Sequence, residues 1–393
     1  MVLLKVNELS LFEASMDFHT ILCLAALLSS TTSLALSVVD FGAVGDGKTD
    51  DSRAFEAAWQ AVCQGKKGNI LIVPRGKTFL IKPVSFQGPC GSHAINFQVE
   101  GTIVAPTDIS QMNVMNWIEF DNVKSLTVDG NGLIDGKGSV WWAVCRKVIA
   151  FNFCTNFLFR NLKLINGPSQ FVKVFQCRRS TISGLTITAP EDSPNTDGIN
   201  ISHSESIFVL HSNIASGDDC ISVLSGSSNI NVSNITCGPG HGISIGSIGM
   251  QGEMGQVEGV HVSFSTFTNV LFGARIKTWQ GGKGYVRKIK YEHITLKNAG
   301  SPVIIDQYYC PAGGCANKSD AVAVSGITFD SFQGTSSSDV PIQLLCSQNK
   351  ACTDLLLNNV KISPSAGQAL TSKVINAHGT VIATVPRVTL PPA

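Results

Sequence analysis

The sequence predicts an all-β fold, a parallel β-helix capped at its N-terminal end by a helix. Three observations predict it. Apolar triplets return with a period of about 22. Polar turn motifs return at the same interval. Composition removes the competing classes: at 44% hydrophobic and 15% charged, the chain is neither disordered nor a Glu/Lys/Arg-rich helical bundle. Its 37 glycines show no period of three, which excludes collagen.

The repeat is read first. Ile199-Asn200-Ile201 returns as Ile221-Ser222-Val223 and again as Ile243-Ser244-Ile245, each 22 apart. A second family is Ile207-Phe208-Val209 and Ile230-Asn231-Val232, 23 apart, and a third is Asn213-Ile214 and Asn234-Ile235, 21 apart. Cys154 and Cys177, 23 apart, sit in matching surroundings and are expected to stack. Val260-His261-Val262, Ile289-Lys290-Tyr291, Val303-Ile304-Ile305 and Ile327-Thr328-Phe329 continue the pattern. Each triplet is a short strand with alternate residues inward. Stacking the coils pairs each strand with its equivalent about 4.8 Å away. Asn213 and Asn234 are expected to share a hydrogen-bonded ladder. The competing fold is an antiparallel sandwich, but its hairpins call for Asn-Gly or Asp-Gly turns, which are sparse here.

A solenoid must close its ends. Phe55, Ala58, Trp59 and Val62 fall on one face of a helix spanning about residues 52–63. Thr49 or Asp50 is expected to cap its start, and Cys63 with Cys90 to tie it to the first coils. No linker divides residues 36–393, so one β-helix domain is expected there.

Residues 1–35 read as a secretory leader. The apolar run Ile21–Leu28 is followed by small and polar residues up to Ala35; the alternative is a buried helix. Lys5 faces Glu8, Glu13 and Asp17, an acidic start where a signal peptide is basic, and a start at Met16 has a more ordinary length. The expected location is therefore extracellular. No later run reaches the roughly eighteen apolar residues of a membrane span, and a net charge of +1 offers nucleic acid no footprint. Twelve cysteines suit an oxidising compartment. They contain no paired Cys-x-x-Cys, so zinc is not expected, nor any other cofactor. Asn200, Asn231, Asn234 and Asn317 begin glycosylation sequons, usable only where exposed.

Chemistry concentrates at one phase of the repeat. Asn195-Thr196-Asp197-Gly198, Gly217-Asp218-Asp219-Cys220 and Gly240-His241-Gly242 each precede a strand, and Asp197, Asp219 and His241 follow one another at equal steps of 22. Gly273-Ala274-Arg275-Ile276-Lys277 follows a longer coil. Equal phase means vertical stacking, which gathers three carboxylates, an imidazole and two cations on one outer face. Asp197 alone reads as well as a turn residue. Adjacent Asp218 and Asp219 do not, because like charges held together raise a carboxyl pKa at a cost in stability. Carboxylates in different protonation states are what glycoside hydrolysis requires. Asp218 is the expected proton holder. Arg275 and Lys277, either side of Ile276, are expected to face outward toward an anion.

These four ordered motifs resemble the signature of the polygalacturonases, glycoside hydrolases that cleave pectin. Ser193-Pro194-Asn195-Thr196-Asp197-Gly198 and Cys237-Gly238-Pro239-Gly240-His241-Gly242 are similar to plant members. The resemblance extends from Val39-Asp40-Phe41-Gly42-Ala43 to about residue 360. It implies a right-handed β-helix and hydrolysis of α-1,4-galacturonan in the plant cell wall, by a monomer with no metal. It implies Asp218 as general acid, Asp197 and Asp219 as activators of water with inversion, and His241 as the acid's partner. It implies Asn195, Arg275, Lys277 and Tyr309 as substrate-binding residues. Coils about 4.8 Å apart place carboxylates closer than the roughly 6.5–9.5 Å usual for inverting enzymes, so inversion rests on the resemblance alone. Alongside it, Cys220–Cys237, Cys346–Cys352 and Cys310–Cys315 are expected disulfides.

The chain departs from the family pattern in three places. Only eight residues separate Cys145 from Cys154. Phe171 stands where many plant members carry histidine, and the C-terminal cysteine pair is absent. Two other functions are weighed. A pectin-binding wall protein without catalysis fits the short 146–153 region but not the intact aspartates. A calcium-dependent pectate lyase needs a carboxylate cage that these motifs do not resemble. The Cys310–Cys315 segment resembles exo-acting plant members, and product size separates exo from endo attack.

Overall fold

The computed structural model describes residues 35–392, apart from 66–67, 112–114, 143–146, 312 and 317. All of the expected leader but Ala35, together with Cys145 and the Asn317 sequon, lies outside them.

Strands pair in parallel from coil to coil, at the register the repeat predicts. Ile199 lies beside Ile221, Ile221 beside Ile243, Ile243 beside Ala274 and Ala274 beside Val303. These belong to a sheet of eleven strands running from Val84–Gln87 to Ser372–Ile375. The second family forms another row: Ile207, Ile230, Val260, Ile289 and Ile327 align in turn. A third row begins as separate short strands such as Asn213–Ala215. It fuses with the second where Lys283–Ala299 runs round the corner and pairs with both Met254–Ser263 and Thr266–Thr268.

The third family departs from expectation. Asn213 pairs with Thr236 and Ile214 with Cys237, so Asn213 and Asn234 share no ladder. Leu210 pairs with Ser233, which puts Asn234 beside His211 at a corner. There Asn161, Gly184, His211, Asn234, Phe264, His293, Ser331 and Asn359 all have φ between 48° and 63°. This left-handed turn favours Gly and Asn, and the period of the corner, not of a strand, placed Asn234. A true asparagine rung joins Asn298 Nδ2 to Asn269 Oδ1 at 2.9 Å.

Inward residues build a continuous apolar column. Ile199, Ile201, Ile221, Val223, Ile243, Ile245 and Ile276 are fully buried, each contributing about 1.5–3 kcal/mol. Toward the N-terminus the filling is aromatic: Phe120 stacks on Phe151 at 5.4 Å and Phe151 on Phe157 at 4.3 Å between ring centroids.

The helix Ser52–Cys63 closes that end with Phe55, Ala58, Trp59 and Val62 buried. Trp59 Nε1 donates to the carbonyl of Gln87 at 3.0 Å. Its N-cap is Asp51, not Thr49 or Asp50, and Asp51 makes no side-chain cap. Its carboxylate instead accepts from the Val44 and Gly45 amides, while Asp50 accepts from the Ser52 amide. The expected disulfides Cys63–Cys90, Cys220–Cys237, Cys310–Cys315 and Cys346–Cys352 are all formed. Cys154 and Cys177 are unbonded and buried.

Candidate active site

Two residues before the aligned Ile199, Ile221 and Ile243 stand Asp197, Asp219 and His241. Parallel pairing therefore stacks them, one per coil, as their spacing predicts. Backbone crowding explains the glycines around them. A Cβ at Gly217 would lie 2.0 Å from the Ser193 carbonyl oxygen, and one at Gly242 would lie 2.3 Å from that of Gly273. The close approach holds the turns in place: the Gly217 amide donates to Thr196 Oγ1 at 2.9 Å, and the His241 amide to the Asp218 carbonyl at 2.8 Å.

The three carboxylates have different surroundings. Asp218 is the accessible one, with a side chain 25% exposed. Its Oδ1 faces His241 Nδ1 at 3.0 Å and accepts from the Asp219 amide at 2.8 Å. Asp219 is buried; Ser244 Oγ donates to its Oδ1 at 2.7 Å and Lys277 Nζ to its Oδ2 at 2.6 Å. Asp197 is buried too, and its Oδ2 accepts from Asn200 Nδ2 at 2.9 Å. One oxygen of Asp218, one of Asp219 and a ring nitrogen of His241 lie within 4.8 Å of one another.

These surroundings split the protonation states. Burial, then the charges of Asp218 and Asp219, push the Asp197 carboxyl well above its ordinary value, against the pull of Asn200 and Lys277. Burial also acts upward on Asp218, but the hydrogen bond and charge of His241, with Lys277 and the Asp219 amide, leave it lowered. Of the trio, Asp197 is thus the carboxyl pushed up and Asp218 the one held down, where Asp218 was the expected proton holder. Asp218 differs because it is less buried and His241 bonds its Oδ1.

The cations separate as well. Arg275 lies beside Ser244, on the outer side of a strand whose Ile276 is fully buried. Its guanidinium stacks 3.8 Å from the Phe272 ring centroid and 5.4 Å from that of Tyr309. Among the described residues its Nε has no hydrogen-bond partner. Lys277 is committed: its ammonium is spent on Asp219, in an ion pair whose side chains are 8% and 2% exposed. The expected outward cation is therefore a buried support for a carboxylate. Tyr309 is half-buried, edge-on to Trp279 at 5.3 Å, and walls a pocket beside the Cys310–Cys315 disulfide. Asn195 is exposed on the turn before Asp197, and its carbonyl accepts from Ser169 Oγ at 3.1 Å.

Sequence reasoning missed Asn200, Ser244 and Phe272. Asn200 was read as a sequon, yet it is 4% exposed and serves Asp197. The signal was present: Asn200 and Ser244 are the polar centres of the apolar triplets that follow the motifs.

Residues 63–383 match the family model described as glycosyl hydrolases family 28. The chain is 43% identical over 368 residues to a probable polygalacturonase of Arabidopsis thaliana, covering 91% of this chain and 80% of that protein. It is 40% identical over 357 residues to a polygalacturonase of Persea americana, covering 87% and 76%. Among solved structures it resembles a polygalacturonase from Erwinia carotovora (TM-score 0.71, 21% identity, 88% of this chain and 97% of that chain). It also resembles an endo-xylogalacturonan hydrolase from Aspergillus tubingensis (TM-score 0.75, 22% identity, 88% and 100%). The matched span contains the four motifs of the site, and the chain belongs to glycosyl hydrolases family 28 and is a glycoside hydrolase.

Proposed function

We propose that this enzyme hydrolyses α-1,4-galacturonosidic linkages of pectin, outside the cell and in the plant cell wall. The observation that carries the reading is one stacked carboxylate trio whose accessible member, Asp218, touches His241. The relatives named polygalacturonase support the substrate. Arg275, a cation stacked on Phe272 and without an ion pair among the described residues, suits a uronate carboxylate.

In this reading the trio carries one proton and delivers it through Asp218 to the glycosidic oxygen as the bond to the anomeric carbon breaks. A water on the opposite face attacks that carbon and gives its proton to the two carboxylates left behind, Asp197 and Asp219. The products are a new reducing end and a free hydroxyl, with inverted configuration. His241 holds Asp218 in place, and Lys277 keeps Asp219 oriented. The acidic polymer is the partner, and a single chain suffices. The leader-like N-terminus and four disulfides support export.

The test is release of reducing ends from polygalacturonate, followed by proton NMR of the first-formed anomer. The expected result is reducing sugar without unsaturated product, in chelator, with inversion. No release makes the chain a binding protein, and chelator-sensitive unsaturated products make it a lyase. Monomer alone as product means exo attack, and a ladder means endo.

A further inference from the structure

Cations on the outer side of this sheet do not end at Arg275. Lys173 pairs in register with Asn200, one coil to the N-terminal side of the carboxylates. Lys147 lies one coil further. It stands two residues before Ile149, which pairs with Val172, which pairs with Ile199. Lys147 is therefore in the same vertical column as Asp197. Both lysines are half-buried. Among the described residues neither forms an ion pair. The Lys173 ammonium lies 4.9 Å from the Phe175 ring centroid, a cation–π contact that leaves its donors open.

This arrangement is electrostatically costly. Burial, then the charge of Lys173, lowers the Lys147 pKa, and Asp197 only partly offsets it. Burial lowers Lys173 too, with Glu119 pulling the other way. Glu119 is not a close partner. It pairs with Ala150, which pairs with Lys173, and its Oε1 accepts from Asn116 and Asn152. Two half-buried cations in adjoining coils, each without an ion pair among the described residues, are what a bound anion stabilises. The positive stretch is short, with Asp197 at one end and Glu119 at the other.

Lys173 and Arg275 are four coils apart, through Asn200, Ser222 and Ser244. That is roughly 19 Å at the spacing of paired strands. A ligand that engages both must carry carboxylates at intervals along a chain and lie along the stack, across Asp218.

We propose that Lys147 and Lys173 form a second carboxylate-binding subsite, taking one uronate of the acidic polysaccharide on the N-terminal side of Asp197, opposite Arg275. The inference rests on the substrate class proposed above. It makes two lysines specificity determinants of the site.

The experiment measures binding of oligogalacturonates of increasing length by calorimetry, together with the Michaelis constant on polygalacturonate. The proteins are the wild type, Lys147→Gln, Lys173→Gln, the double variant, Lys173→Arg, and Lys48→Gln as an equal charge loss outside this sheet. Lys147→Met and Lys173→Met keep the stems packed if the glutamine variants do not fold. The double variant is expected to bind long oligomers about ten-fold more weakly and with a shallower salt dependence. Short oligomers that reach only Arg275 keep their affinity. Lys173→Arg retains most binding, and Lys48→Gln retains all of it. A double variant that binds long oligomers as tightly as the wild type overturns the subsite. A wild type that binds no oligogalacturonate of any length overturns the substrate reading, and the subsite with it.

Discussion

Lys277 reaches two coils back to place its ammonium 2.6 Å from Asp219 Oδ2, with both side chains almost fully buried. The contact joins the Arg-Ile-Lys strand to the Gly-Asp-Asp turn and holds one member of the carboxylate trio at a fixed angle. Removing the lysine leaves a buried carboxylate with Ser244 as its one remaining side-chain partner among the described residues.

Lys277→Met is therefore expected to destabilise the fold by about 3–5 kcal/mol, the usual penalty for orphaning a buried charge. The sequence alone argues the opposite, that Lys277 matters more for binding than for folding. Denaturant unfolding of the variant decides between them. An unchanged midpoint with a raised Michaelis constant would return Lys277 to the substrate. Pairing Lys277→Met with Asp219→Asn should recover much of the lost stability, because no charge is then left unpaired.

Asp197 sets a pH dependence of stability. Its carboxyl is raised above the ordinary 3.8 by burial and by Asp218 and Asp219. The folded protein thus holds a proton that the unfolded chain releases near that value. Its contribution is neutral below 3.8 and turns unfavourable as pH climbs toward the raised pKa. Asp197→Asn should therefore be more stable than the wild type at neutral pH and equal to it near pH 3. The same variant should lose roughly two to four powers of ten in turnover. Melting curves at both pH values check the first claim. A variant less stable at both would mean that Asp197 is ionised and paired.

The fold was legible because its period is written in apolar residues. A strand residue that must be Ile or Val once in every coil leaves little freedom, and Ile199, Ile221 and Ile243 align as their spacing requires. The column Asp197, Asp219, His241 follows from the same period. What the period does not encode is which polar partner each member finds. Asn200 and Lys277 reach Asp197 and Asp219 through side-chain contacts, one of them between coils, and no spacing rule lists those. Asn234 shows the opposite error: its recurrence was real, but it belonged to a left-handed corner beside His211.

Processing of the chain gives another test. Residues 1–15 are expected to be dispensable for export, with the mature protein beginning near Leu36. Sequencing the secreted N-terminus checks this, and finding Lys5 or Glu8 there refutes it. Glycan mapping of the same material should show Asn200 unmodified, because it is 4% exposed and holds Asp197. Asn234 is exposed and open to the transferase. A glycan on Asn200 would require an outer face quite different from the one described.

Asp218 carries the decisive chemical prediction. It is the one carboxylate of the trio that solvent reaches, and His241 meets its Oδ1 at 3.0 Å. A general acid must touch the glycosidic oxygen, which a buried Asp197 or Asp219 cannot do. Asp218→Asn keeps the side chain's size and an oxygen for the Asp219 amide, but it has no proton to transfer. It should fold normally by circular dichroism and bind oligogalacturonate. Turnover should fall by roughly two to four powers of ten, the usual range for lost acid catalysis. His241→Ala should cost less, because it loosens the acid without removing it. It also takes away the influence that lowers the Asp218 pKa, so the surviving activity should extend to higher pH than in the wild type. Asp219→Asn should instead damage the water side, seen on the acidic limb of the profile. If Asp218→Asn turns over substrate at near wild-type rate, the proton leaves from another residue and the assignment of Asp218 as the acid is wrong.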